Sequence, residues 1–154
     1  LYGGGQEKGL RSGTLNVPAI VGFGEASQIC AEQLTAEQRR IAALRDAFEE
    51  LICGRVPIIR VNGARNSRLP NTSSLTFPGV DADALLLNVL DLMLATGSAC
   101  ASRTVEPSHV LQAIGVSRTD AHSTIRASIG RFTTQQDIET AAEKLAAAYE
   151  TLHS

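Results

Sequence analysis

Hydrophobic positions recur at three- and four-residue steps over most of this chain, and they alternate with polar ones in two short stretches. Residues 1–16 break both patterns: they are glycine-rich and polar and predict a loop. Asn16 with Pro18 then signals a helix start. Ile20, Phe23, Ser27, Cys30 and Leu34 follow on one helical face, which predicts an inward-facing Cys30. Thr35 with Gln38 has capping-box spacing and predicts a second helix. Its stripe is Ile41, Leu44, Phe48, Leu51 and Ile52, and Gly54 closes it.

Beyond Pro57, Ile58 to Val61 predicts a short strand and Asn62-Gly63 a turn, with polar loop over 63–72. Ser74-Leu75-Thr76-Phe77 alternates and predicts a half-buried strand that ends at Pro78-Gly79. Asp81 caps a helix through about Leu90, and Leu92 to Ala95 predicts a buried strand. The small residues 97–102 predict a loop, followed by a helix from Pro107 to Gly115. In Thr124 to Ile129, Ile125, Ala127 and Ile129 point one way while Arg126 and Ser128 point the other. Thr134 with Asp137 caps a last helix striped by Ile138, Ala141, Leu145, Tyr149 and Leu152. This order predicts an α+β domain, with a short mixed or antiparallel sheet covered by helices on one face.

Composition adds few constraints. The chain has 154 residues, 44% hydrophobic and 19% charged, which suffices for one domain with a real core. A net charge of −2 with interspersed signs gives no reason to expect nucleic acid or an anionic membrane as partner. The longest apolar stretch, Ala84 to Ala95, is too short to span a bilayer and carries Asn88 and Asp91. No secretory signal opens the chain. Leu1 leading into three glycines reads as the middle of a longer polypeptide, although a processed terminus would look the same. Cys30, Cys53 and Cys100 form an odd, sparse set without zinc-ligand spacing. That argues against a disulfide framework and for a reducing, cytoplasmic setting.

Candidate chemistry concentrates at three places. Cys100 lies among small residues just after a predicted strand, where a thiol would be accessible, with Arg103 near in sequence. An inert thiol fits the same position. Arg126 points away from the predicted core, and its planar fork of donors suits a carboxylate. A solvated or salt-bridged arginine is the alternative. Residues 3–14 mix glycines, hydroxyls and basic side chains as a phosphate loop does, yet lack the P-loop spacing, so a plain linker stays open. Cys30 and Cys53 read as core thiols. His109 and His122 have no carboxylate or cysteine at ligand spacing and read as structural.

Three segments taken together resemble cysteine desulfurases of the class V aminotransferase group. Residues 3–18, GGGQEKGLRSGTLNVP, are similar to a signature stretch of that family. Residues 96–100, TGSAC, with 106–111, EPSHVL, look like its active-site cysteine loop. Residues 121–133, AHSTIRASIGRFT, resemble its carboxylate-anchoring strand. The resemblance runs over essentially the whole chain, in the right order. It implies the small C-terminal domain (17–154) of a fold-type I enzyme, preceded by a cofactor-phosphate loop (1–16). It further implies that Cys100 takes sulfur from L-cysteine as a persulfide, leaving alanine, within a mobile loop over 97–106. Arg126 would hold the substrate carboxylate, and Thr14 would contact the phosphate of pyridoxal 5'-phosphate across a homodimer. The Gly-Ser-Ala-Cys form is similar to the branch serving iron–sulfur assembly, which implies a sulfur-acceptor or scaffold protein as partner.

One departure limits this. The family binds its cofactor through a lysine in a Ser-x-His-Lys-type segment, and the only lysines here are Lys8 and Lys144. The chain alone is therefore expected to be inactive. A non-catalytic docking module, another class V aminotransferase and a selenocysteine lyase are the alternative readings.

Overall fold

The computed structural model describes residues 2–96 and 108–154. The chain divides into two compact units, Leu1–Ala36 and Glu37–Ser154. The first holds the glycine-rich loop, a 3-10 turn over Gln6–Gly9 and the start of helix α1 (Val17–Arg55). The second holds everything else.

α1 is one helix where the periodicity predicts two. A capping box acts only where its threonine leaves helical backbone, and Thr35 does not. Residues 31–42 contain neither Gly nor Pro and are rich in Ala, Glu, Gln, Leu and Arg, so local propensity carries the helix through. Cys30 is exposed rather than inward-facing. Its stripe mates Ile20, Phe23 and Leu34 are exposed too, Phe23 by 77%. Period reveals that a stripe exists but not what covers it. Only from Leu44 onward, at Arg45, Phe48 and Ile52, does the helix bury side chains.

The second unit is built on a four-stranded, wholly antiparallel sheet. Its strands are β1 (Arg60–Val61), β2 (Thr72–Thr76), β3 (Ala95–Thr96) and β4 (Thr124–Ser128), in the order β1-β2-β4-β3. Five residue pairs, from Thr72↔Ser128 to Thr76↔Thr124, join β2 to β4. On one face Leu75, Ile125 and Ala127 enter a single core with Leu44, Phe48 and Ile52 of α1. Ile138, Leu145 and Tyr149 of helix α5 (Gln135–His153) complete it. Helix α2 (Ala82–Leu87) adds Leu85, and Asp81 caps it by accepting from the N–H groups of Asp83 and Ala84. It stops at Leu87, short of Leu90. The strand predicted over Leu92 to Ala95 is the two-residue β3, and Leu92 and Leu94 only half-bury beside the core. The first strand is likewise shorter than Ile58 to Val61.

Two short helices precede β4: α3 (His109–Ala113) and α4 (Arg118–His122). The sequence reading leaves α4 out, although Ser117, whose side chain accepts from Asp120 N–H at 3.1 Å, is its start signal. α5 begins as expected, with a full capping box between Thr134 and Asp137.

Arginines fasten the connecting loops. Arg45 is buried and donates to Leu69 O at 2.9 Å while pairing with Asp46. Arg68 pairs with Glu49 and donates to Thr72 O, and Ser73 Oγ donates to the same Glu49 carboxylate at 2.7 Å. Arg40 donates to Thr133 O at 2.9 Å and Arg131 O at 2.5 Å, closing the turn that follows β4. At the far end of α5, Tyr149 donates to Pro78 O at 2.9 Å. Gly79 adopts φ +81°, which strains any larger residue, and a Cβ there would press on the His153 ring at about 3.1 Å.

Two outcomes are expected. Leu145, with no exposed surface, sits where α5 meets the sheet. Leu145→Ala should lower unfolding free energy by about 2–5 kcal/mol, read from urea denaturation. The second concerns acid. Hydrogen bonds from the Thr134 backbone and then its side chain hold the Asp137 carboxyl below its usual value. Its stabilising effect is therefore full above the unfolded carboxylate pKa of about 3.9 and is lost as pH falls through the lower folded value. Asp137→Asn should remove that part of the acid dependence, measured by thermal melts between neutral and acid pH.

Candidate functional site

The site is built on the sheet face opposite the core. Because side chains alternate along β4, packing Ile125 and Ala127 inward commits Thr124, Arg126 and Ser128 to the other face. Cross-strand register then lines up two rows. The first runs Arg60, Thr76, Thr124, and the second runs Ser74, Arg126, Ala95. Asn62, whose N–H donates to Ser74 O, extends the second row.

The first row is tied together. Thr124 Oγ1 donates to Asp120 O at 2.6 Å, and a carbonyl can only accept. Thr124 has one hydroxyl proton, so across their 2.8 Å contact Thr76 Oγ1 is the donor, with Asn62 Oδ1 a more distant competing acceptor at 3.3 Å. Thr76 in turn accepts from Asn62 Nδ2 at 2.9 Å. Arg60 closes the row from above, its Nη2 lying 2.6 Å from Asp120 Oδ1. α4 thus covers this end of the face, and both threonines are buried although they point away from the core.

The second row is open. Arg126 is exposed, and among the described residues its side chain makes no hydrogen bond or ion pair. Its flanking side chains, Ser74 and Ala95, are small and uncharged. A free guanidinium between small neighbours offers a paired donor fork to a planar anion. β3, which lies beside Arg126, ends at Thr96, and Cys100 and the loop over 97–106 lie outside the described residues.

The remaining candidates separate clearly. Cys53 is half-buried in a cleft of about 340 Å³ lined by Asp46, Glu49, Glu50, Arg65 and Arg68. Burial first, and then the charge of Glu49, raise its thiol pKa, while Arg65 opposes them. It is held as a neutral thiol, in keeping with a packing role. His109 opens α3 and His122 closes α4. Among the described residues, no group of three or more His, Cys, Asp or Glu side chains is placed to hold a metal ion.

Thr14 belongs to the first compact unit. Arg11 Nη1 donates to Gly13 O at 2.8 Å and Thr14 O at 3.0 Å, and Gly13 N–H donates to Gln6 Oε1 at 3.2 Å. These bonds fix the loop backbone through its own side chains. The Thr14 side chain is exposed, and its hydroxyl is unengaged among the described residues, so it fits a phosphate oxygen. Of the two lysines, Lys144 pairs with Asp91, and Lys8 sits in the 3-10 turn. Sequence reasoning missed Arg11, Arg60 and Asp120. Arg11 lay within the glycine-rich stretch, but the pairing of Arg60 with Asp120 joins positions 60 residues apart and has no local signal.

Thr76→Val keeps shape but deletes the central hydroxyl of the first row. It should cost about 1–3 kcal/mol in a urea melt, because Asn62 loses an acceptor and Thr124 a donor.

Comparison with known proteins supplies the family. The family profile described as Aminotransferase class-V matches residues 4–140. Cysteine desulfurase IscS of Rickettsia typhi is 43% identical over 139 residues, which are 90% of this chain and 34% of that protein. For IscS of Azotobacter vinelandii the identity is 43% over 148 residues, 96% of this chain and 36% of the relative. The chain thus spans about a third of the length of the curated relatives it matches. Among solved structures, a NifS-like protein from Rickettsia africae superposes with a TM-score of 0.79 at 34% identity. It covers 97% of this chain and 39% of its own. A second NifS-like protein gives 0.82 at 32%, over 99% and 39%. Among the described residues, no helix is long and apolar enough to cross a membrane.

Proposed function

Because this chain belongs to the class-V aminotransferase family, we propose that it is the C-terminal part of a cysteine desulfurase, with Cys100 as sulfur acceptor and Arg126 as carboxylate anchor. The observation that carries the reading is the Arg126 guanidinium, unpaired among the described residues, on a polar sheet face beside the strand that ends at Thr96. Residues 1–16 form the cofactor-phosphate loop and 17–154 the small domain. The cofactor is pyridoxal 5'-phosphate, with the Thr14 hydroxyl donating to its phosphate. When bound, it supplies the electron sink that weakens the C–S bond of cysteine.

The chain's own residues do the rest. Arg126 fixes the carboxylate of L-cysteine through two parallel N–H···O bonds, which orients the side chain of the amino acid. The Cys100 thiolate attacks the substrate sulfur. An S–S bond forms as the C–S bond breaks, the carbon gains a proton, and the products are a Cys100 persulfide and alanine. The sulfur is oxidised by two electrons and the carbon reduced by two, so no external oxidant enters. The persulfide then passes to a sulfur-acceptor protein, an iron–sulfur scaffold in the branch that the Gly-Ser-Ala-Cys form resembles. The enzyme is a cytoplasmic homodimer in this reading.

The test uses the whole reading frame that encodes this chain, loaded with pyridoxal 5'-phosphate and given L-cysteine. Sulfide and alanine should appear in equal amounts under reducing conditions. Cys100→Ser should abolish release, and undiminished release would sink the assignment. Arg126→Ala should raise KM for cysteine by about 30-fold, the effect of removing one partner of a hydrogen-bonded charge pair that the bound substrate covers. A reading frame that binds no pyridoxal 5'-phosphate would favour the docking-module alternative instead.

A further inference from the structure

The pairing of Arg60 with Asp120 has little to offer stability. The two side chains are 56% and 28% exposed, and ion pairs of that exposure contribute little to folding. Its location is more telling. Asp120 is pinned by its carbonyl to Thr124, two residues before Arg126 on the same strand and the same face. That step is about 7 Å, a gap that an aspartate and an arginine side chain together span. Without another partner, the Asp120 carboxylate has within reach a guanidinium that is unpaired among the described residues. Arg60 removes that option by holding Oδ1 at 2.6 Å from the far side of the row.

We propose that Arg60 is a positioning residue that sequesters the Asp120 carboxylate and so keeps Arg126 open to the carboxylate of a substrate. The assignment rests on the reading of Arg126 as the anchor. It adds that the availability of this arginine depends on a second arginine two strands away. The mechanism is a competition between two carboxylates for one guanidinium. An internal carboxylate tethered beside it holds the advantage over a dissolved one unless it is otherwise engaged.

The experiment uses the full chain with 15N-resolved NMR of the Arg126 Nε–Hε signal, first alone and then titrated with acetate as the carboxylate probe. In ligand-free R60A the Arg126 signal should shift as Asp120 turns to it. The signal should return to its original position in R60A/D120N. Acetate affinity should fall about fivefold in R60A, recover in R60A/D120N, and stay near that of the unaltered chain in R60K. An Arg126 signal that does not move in ligand-free R60A, or an acetate affinity that R60A leaves unchanged, overturns the proposal. If acetate fails to move the signal of the unaltered chain, the anchor role of Arg126 fails, and the ligand-free comparison still decides whether Arg60 sequesters Asp120. Circular dichroism and melting of each variant separate these effects from a change in fold.

Discussion

The register of β4 against β2 is the constraint on which the rest of the second unit depends. Five pairs fix it; the two side chains of a pair share a face, and successive pairs alternate between the core and the open face. A slip by one residue would place Arg126 among Phe48, Ile52 and Leu145 and expose Ile125. The cost of burying an unpaired guanidinium rules that arrangement out. Core packing and site geometry are therefore one problem: Leu75, Ile125 and Ala127 hold Arg126 outward because they are themselves held inward.

Around this sheet, loops are secured by arginine donors meeting backbone carbonyls rather than by apolar burial. Arg45 reaches Leu69, Arg68 reaches Thr72, and Arg40 reaches the turn over 130–133. Each guanidinium offers several donors in a fixed plane, so one side chain on α1 can satisfy carbonyls that a loop cannot pair within itself. The helix half beyond Glu37 thus serves as core on one side and, through Arg40, Arg45 and the Glu49 that holds Arg68, as a row of loop anchors on another. These arginines are all engaged, whereas the Arg126 side chain has no partner among the described residues.

Features governed by local chemistry were readable in the amino-acid sequence. Thr134 and Asp137 announce α5 because a capping box needs only residues three apart, and β4 is evident from strict alternation. The same kind of signal misled at Thr35 and Gln38, where good helix formers on both sides override a capping pattern. Burial of Cys30 was misjudged because a stripe says nothing of its cover. Arg126 was placed correctly on the outward face by period alone. That its guanidinium has no partner among the described residues was not readable, since this depends on where distant carboxylates such as Asp120, carried by a five-residue helix and paired with Arg60 of β1, come to lie.

The threonine row has a further consequence. It begins at the Asn62 side-chain amide and ends at the Asp120 carbonyl, and the short bond to that carbonyl favours one order of its hydroxyl protons; reversal would turn Thr76 toward Asn62 Oδ1 at 3.3 Å and leave Asp120 O without its donor. The row cannot relay a proton in either direction, because the terminal carbonyl neither releases nor takes one up. What it provides instead is a pair of buried hydroxyl dipoles whose favoured order is set by the Asp120 carbonyl, beneath the face on which charge would arrive. The face that carries Arg126 is polarised in advance.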